Sequence, residues 1–73
     1  MPVTKDNVQD VFTYHAPDSA QVMAYQRIRN KALLLAEEIL EVAPNCGDTQ
    51  AGLRKIREGV FTVNAAIALH GAV

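Results

Sequence analysis

Apolar residues recur at spacings of three and four along two long stretches of the chain. The first stretch carries Tyr25, Ile28, Ala32, Leu35, Ile39 and Val42. The second carries Leu53, Ile56, Val60, Val63 and Ile67, with His70 next in register. This period predicts amphipathic helices over residues 19–43 and 49–70. Ala, Leu, Glu, Lys and Arg dominate the first stretch and favour the helical state. Between them, Pro44-Asn45-Cys46-Gly47-Asp48 reads as a turn over 44–48. Pro44 stops the first helix, Gly47 suits a positive φ angle, and Asp48 or Thr49 caps the second helix. A link this short makes the helices antiparallel neighbours, an αα-hairpin with arms of about 33 Å.

Ahead of the hairpin, Val8, Val11 and Phe12 stand at helical spacing and Thr4 is placed to cap them. A short helix over about 4–11 is expected, of the kind that serves as a lid or an oligomer contact. A loop over 12–18 follows, because Pro17 disfavours helical backbone at Ala16. Asp18 or Ser19 then caps the first long helix, and Gln21 completes an approximate capping box. No strand signal, internal repeat or low-complexity segment appears. The fold class expected is all-α, a single domain over residues 1–73.

A second apolar line, Met23, Leu33, Leu34 and Leu40, lies off the first seam. One neighbouring helix covers one stripe, so this line calls for a further partner. With 73 residues and 49% hydrophobic content, the chain must find that partner in another subunit. A domain of this size buries only about 60% of the surface its unfolded chain exposes. A helical homo-oligomer is therefore the expected assembly. Gly52 and Gly59, with Ala65, Ala66 and Ala68, suggest places where backbones approach closely.

Composition removes several function classes. The single cysteine, Cys46, excludes an internal disulfide, and Cys46, His15 and His70 are too few and scattered for a zinc site. No metal or cofactor is expected. The net charge is −1 and the pI near 6.0, so the basic footprint of a DNA or RNA polymer binder is missing. No apolar run approaches the roughly 18 residues of a membrane span. Met1-Pro2-Val3-Thr4-Lys5-Asp6 lacks the charged-then-apolar order of a signal peptide, so the expected location is the cytosol.

No catalytic constellation is visible, and an enzyme is not expected. The candidate chemistry lies in Phe12-Thr13-Tyr14-His15-Ala16-Pro17 and in the basic run Arg27-Ile28-Arg29-Asn30-Lys31. Tyr14 is either a stacking platform for a nucleobase or a side chain that packs the loop onto the hairpin. Arg27, Arg29 and Lys31 either bind phosphate or form a solvated face. Placed in the first turns of their helix they would oppose its macrodipole, which favours a binding role. Arg27 and Lys31 share a face, and Arg29 is turned well away from both. His15 can donate to a ligand or to a loop carbonyl. Glu37, Glu38 and Glu41 read as a solvated face able to pair with Arg54, Lys55 and Arg57. Asn64, among Val63, Ala65 and Ala66, is either a register-setting hydrogen bond between subunits or a ligand contact, with the structural role ahead.

In order, Phe12-Thr13-Tyr14-His15-x-Pro17, Tyr25-x-x-Ile28-Arg29, Ala36-Glu37-x-Ile39-Leu40-x-x-x-Pro44 and Asn64-Ala65-Ala66-Ile67-Ala68 resemble the hairpin domain of phage anti-defence sponges. These are the anti-CBASS cyclic-nucleotide sponge and the related Thoeris anti-defence protein that sequesters cyclic ADP-ribose isomers. The similarity spans about residues 12 to 69. It implies small helical protomers in a compact homo-oligomer, commonly a hexamer. Such sponges hold cyclic dinucleotides, and in some members cyclic trinucleotides, uncleaved. By position, the resemblance gives base stacking to Tyr14 and phosphate contact to Arg29. Lys31 and Arg27 are neighbouring candidates, and Thr13 and His15 are hydrogen-bond candidates. Members often carry a basic residue after the Asn-Ala-Ala-Ile-Ala run, where Leu69-His70 stands here, which puts a separate trinucleotide site in doubt. A tryptophan is frequent where Phe61-Thr62-Val63 precedes Asn64. The alternative function is a helical module that binds a protein partner through its second apolar stripe.

Overall fold

The computed structural model describes residues 2–73. It is all-helical, with a short α1 (Val8–Val11) and two long helices, α2 (Ser19–Val42) and α3 (Gly47–Ala68), that pack against each other. Among the described residues there is no strand.

Local chemistry sets each boundary. The Asp18 carboxylate accepts the Gln21 N–H at 2.8 Å, and Gln21 Oε1 accepts the Asp18 N–H at 3.0 Å. This is a complete capping box, and such a cap contributes about 1 kcal/mol. Helix α2 stops at Val42 rather than residue 43. Pro44 forces Ala43 into extended backbone, with ψ 149°. Thr4 works one turn earlier than expected. Its hydroxyl accepts the Asp6 N–H at 3.3 Å and Asn7 Oδ1 accepts the Thr4 N–H at 2.7 Å. These bonds close the turn before α1 and leave only one helical turn, whose N-cap is Asn7.

The link between the long helices is shorter than the expected 44–48 turn. Ala43 and Cys46 are both extended, and Gly47 is already helical. The reversal uses extended residues, so no positive φ is needed at Gly47, and Asp48 and Thr49 fall inside the first turn of α3. Thr49 Oγ1 instead donates to the Pro44 carbonyl at 2.7 Å, tying the link to the helix.

The far end of α3 also departs from expectation. The helix ends at Ala68, and His70 is out of the seam with φ 52°. The Gly71 N–H reaches the Ala66 carbonyl at 2.9 Å and the His70 N–H reaches Ile67 at 3.2 Å. This is the Schellman pattern, which needs left-handed backbone at its turning residue. Gln21 Nε2 donates to the Ile67 carbonyl at 3.0 Å and lies 3.4 Å from His70 Nε2. One side chain thus caps the start of α2 and fastens it to the end of α3, which makes the pair antiparallel.

The seam runs through half-buried Tyr25, Ile28, Ala32, Ala36 and Ile39 on α2, and Leu53, Ile56, Val60, Asn64 and Ile67 on α3. Leu35 and Val42, expected in it, are 50% and 71% exposed, and Val63 also faces out. At positions 35–36 and 63–64 two adjacent residues both fit the helical period. The small Ala36 faces α3 rather than Leu35, and Asn64 rather than Val63. A Cβ added at Gly52 or Gly59 meets nothing within 4 Å. The close backbone approach expected there does not occur within the hairpin, because the seam uses neighbouring faces of α3.

No described residue is fully buried. The chain exposes 5929 Å², whereas a compact monomer of 8.0 kDa exposes about 4,450 Å². Its radius of gyration is 15.3 Å, against about 11 Å for a compact chain of this length. Met23, Leu33, Leu34, Leu40 and Phe61 are all exposed. Two helices give one another a single narrow seam, and the chain itself leaves the remaining apolar surface uncovered.

Candidate functional site

The loop after α1 is held by the side chains on either side of Tyr14. Thr13 Oγ1 donates to the Gln9 carbonyl at 2.5 Å. His15 Nε2 lies 2.7 Å from the Asp10 carbonyl, which can only accept, so Nε2 carries the proton. The same nitrogen is 3.6 Å from the Asp10 carboxylate. Thr13 and His15 therefore use these groups to pin the loop to α1. Tyr14 between them is 83% exposed, so it does not pack the loop onto the hairpin. Phe12 is equally open. Helix α1 packs against neither long helix.

The three cations of α2 divide between two grooves, as their spacing dictates. Arg27 and Lys31, one turn apart, line a shallow groove of about 800 Å³ with Asn30, Ile28, Leu34 and Leu35. Arg29, about 200° around the helix from Arg27, lines a second groove of about 330 Å³ over the α2–α3 seam. That groove is floored by Leu53, Ile56 and Val60 and also carries Arg57, Phe61 and Asn64. Tyr14 lines neither groove. The fold brings Arg27 and Lys31 together, and Arg29 meets a different set of groups.

Arg27 is the ninth residue of α2. Helix-dipole effects fade within the first turn, so the expected conflict between these cations and the macrodipole does not arise. What they do carry is like-charge repulsion between Arg27 and Lys31, on the order of 0.2–0.5 kcal/mol for such a pair. Glu37, Glu38 and Glu41 do not pair with Arg54, Lys55 or Arg57. Among the described residues the only close acid–base contact is His15 with Asp10. All six side chains are exposed, and attraction in water is too weak to fix them.

In the second groove the Arg57 guanidinium sits 5.4 Å from the Phe61 ring centroid. Asn64 Oδ1 is buried and has no hydrogen-bond partner. Arg57, Phe61 and Asn64 stand at i, i+4 and i+7, a spacing that places them on one face of α3. That spacing is legible in the sequence.

Cys46 is exposed at the N-cap of α3. Its sulfur makes no capping bond, yet the amide of Thr49 and then its hydroxyl lower the thiol pKa. No group of three or more His, Cys, Asp or Glu side chains among the described residues is arranged to hold a metal. No described helix is long and apolar enough to cross a membrane. No protein-family model, curated protein or solved structure matches the chain.

Proposed function

We propose that this chain is a non-enzymatic sponge, a phage anti-defence protein that binds cyclic oligonucleotide immune signals and withholds them from their CBASS or Thoeris effectors. The observation that carries this reading is Tyr14. It is 83% exposed on a loop whose neighbouring side chains are both committed to holding the backbone in place. A pinned, open aromatic has the form of a stacking platform, and base–aromatic stacking contributes about 1–3 kcal/mol per base. The ordered resemblance of residues 12 to 69 to the sponge hairpin supports the same assignment. Arg29, with Arg27 and Lys31, supplies positive charge for the phosphates.

Tyr14 lines neither of the two grooves that carry the cations, which suits the pockets between protomers that the sponge resemblance implies. The exposed Met23, Leu33, Leu34 and Leu40 favour such an assembly, for which the resemblance implies a hexamer. Thr13 and His15 act in this account by holding Tyr14 rather than by touching the ligand. The same apolar stripe supports the second reading, a module that docks a partner protein.

The test is native mass spectrometry of the protein mixed with a panel of cyclic dinucleotides, cyclic trinucleotides and cyclic ADP-ribose isomers. A sponge retains at least one of them and returns it intact on denaturation. Tyr14→Ala abolishes retention without changing the subunit number. Retention of nothing in the panel, or release of cleaved nucleotide, overturns the proposal. A monomer that captures a defined protein favours the second reading.

A further inference from the structure

The groove over the α2–α3 seam contains an unmet hydrogen-bonding demand. Asn64 occupies a seam position and its Oδ1 is buried without a partner. A buried acceptor left unpaired carries its full desolvation penalty. Two strong donors line the same groove, Arg29 and Arg57. Among the described residues neither has an acidic partner within ion-pair distance. The Arg57 guanidinium lies over the Phe61 ring, an arrangement that orders the group while leaving its in-plane N–H donors free. The groove therefore presents two unneutralised cations, an aromatic face and an apolar floor, and it is lined by Asn64, whose shielded Oδ1 meets a ligand once the side-chain amide turns toward the groove.

Few ligand classes answer all of these. An inorganic anion matches the arginines but brings no donor for Asn64. An apolar peptide covers Leu53, Ile56 and Val60 but strands both guanidinium groups and the amide oxygen. A molecule with an anionic group at one end and an N–H or O–H donor on a planar body at the other satisfies every group. The groove volume, about 330 Å³, lies within the usual range of small-molecule sites.

We propose that this groove is a recognition site for a phosphorylated nucleoside. Arg29 and Arg57 hold the phosphate, and Asn64 Oδ1 accepts from the base or sugar. Arg57 and Phe61 form one wall. From the sponge reading this inference takes only the ligand class. It adds Arg57, Asn64 and Phe61 to a site otherwise represented by Arg29.

The experiment is titration of ¹⁵N-labelled full chain with 3′,3′-cyclic GMP–AMP and, separately, with GMP, followed by NMR. The Asn64 side-chain amide and the Arg57 Nε–H signals shift saturably with at least one probe. Asn64→Ala and Arg57→Ala each weaken binding about tenfold or more, and Arg57→Lys, which keeps the charge but not the planar fork, weakens it less. Alanine suits a helix interior, and circular dichroism checks that both variants stay folded.

Saturable binding that leaves Asn64 unmoved, alanine variants that bind like the parent, or no saturable binding of either probe overturns the inference. So does an Asn64 amide that responds only to subunit dissociation, because Asn64 then pairs with a second copy. If cyclic dinucleotides are retained and the alanine variants retain them equally, the sponge stands and the groove site falls. If GMP binds at Asn64 and no cyclic signal is retained, the groove stands and the sponge falls.

Discussion

Leu40→Lys separates the hairpin from its proposed assembly. Leu40 is 61% exposed and lines neither groove, so the change leaves the candidate binding groups alone. Full burial of a leucine side chain contributes about 1.5–3 kcal/mol. With that fraction still open, roughly 1–2 kcal/mol per copy is left for a neighbouring protomer to supply. A lysine forced into such a contact adds a desolvation penalty of several kcal/mol per copy. Within the helix the substitution is benign. Lysine and leucine have similar propensities, and Glu37, three residues earlier, supports a lysine at position 40 by about 0.2–0.5 kcal/mol. The surface arithmetic sets the scale. The protomer exposes about 1,500 Å² more than a compact chain of its mass, and a standard interface takes only about 800 Å² per partner. In the proposed assembly that excess is enough for contacts on more than one side. Analytical ultracentrifugation with native mass spectrometry should show a closed oligomer for the parent. The variant should dissociate to smaller species with a lower thermal midpoint. An unchanged mass for Leu40→Lys, or a parent that is a stable monomer at tens of micromolar, refutes the reasoning.

Three further outcomes follow from the geometry. Gly59→Ala should raise stability by about 0.5–1 kcal/mol, because Gly59 is helical and a Cβ there meets nothing within 4 Å. A lower thermal midpoint would place another copy's backbone against it. Gln21→Ala removes half of the capping box and the bond to Ile67. It should cost about 1–2 kcal/mol by chemical denaturation, with hydrogen exchange accelerated at both the start of α2 and the end of α3. The thiol of Cys46, lowered first by the amide of Thr49 and then by its hydroxyl, should deprotonate below the ordinary thiol range. Its alkylation rate therefore rises at lower pH than that of a free cysteine, and Thr49→Ala moves the profile part of the way back up; superimposable profiles would contradict this.

The two long helices were legible because their apolar period persists over six turns or more. The capping box at Asp18 and Gln21 was legible because it depends on residues three apart. The narrower choices were not. Period alone cannot rank Leu35 against Ala36, or Val63 against Asn64, when adjacent residues both fit. The pattern therefore hid the fact that a polar amide sits in the seam. The end of α3 was missed because His70 continues the spacing, whereas the hydrogen bonds of His70 and Gly71 turn the backbone left-handed there. In the candidate site, the opposed directions of Arg29 and of Arg27 with Lys31 followed from helix geometry. The pinning roles of Thr13 and His15 did not, because their carbonyl partners are defined only once α1 has folded.

The central claim is that this chain holds a cyclic nucleotide signal without changing it. The most direct measurement mixes the purified protein with the signal panel, separates bound from free ligand, denatures the complex and identifies what is released. The account predicts at least one cyclic nucleotide, recovered intact and in fixed ratio to an oligomer, and lost with Tyr14→Ala. Recovery of opened or hydrolysed nucleotide, or of none from any member of the panel, contradicts it.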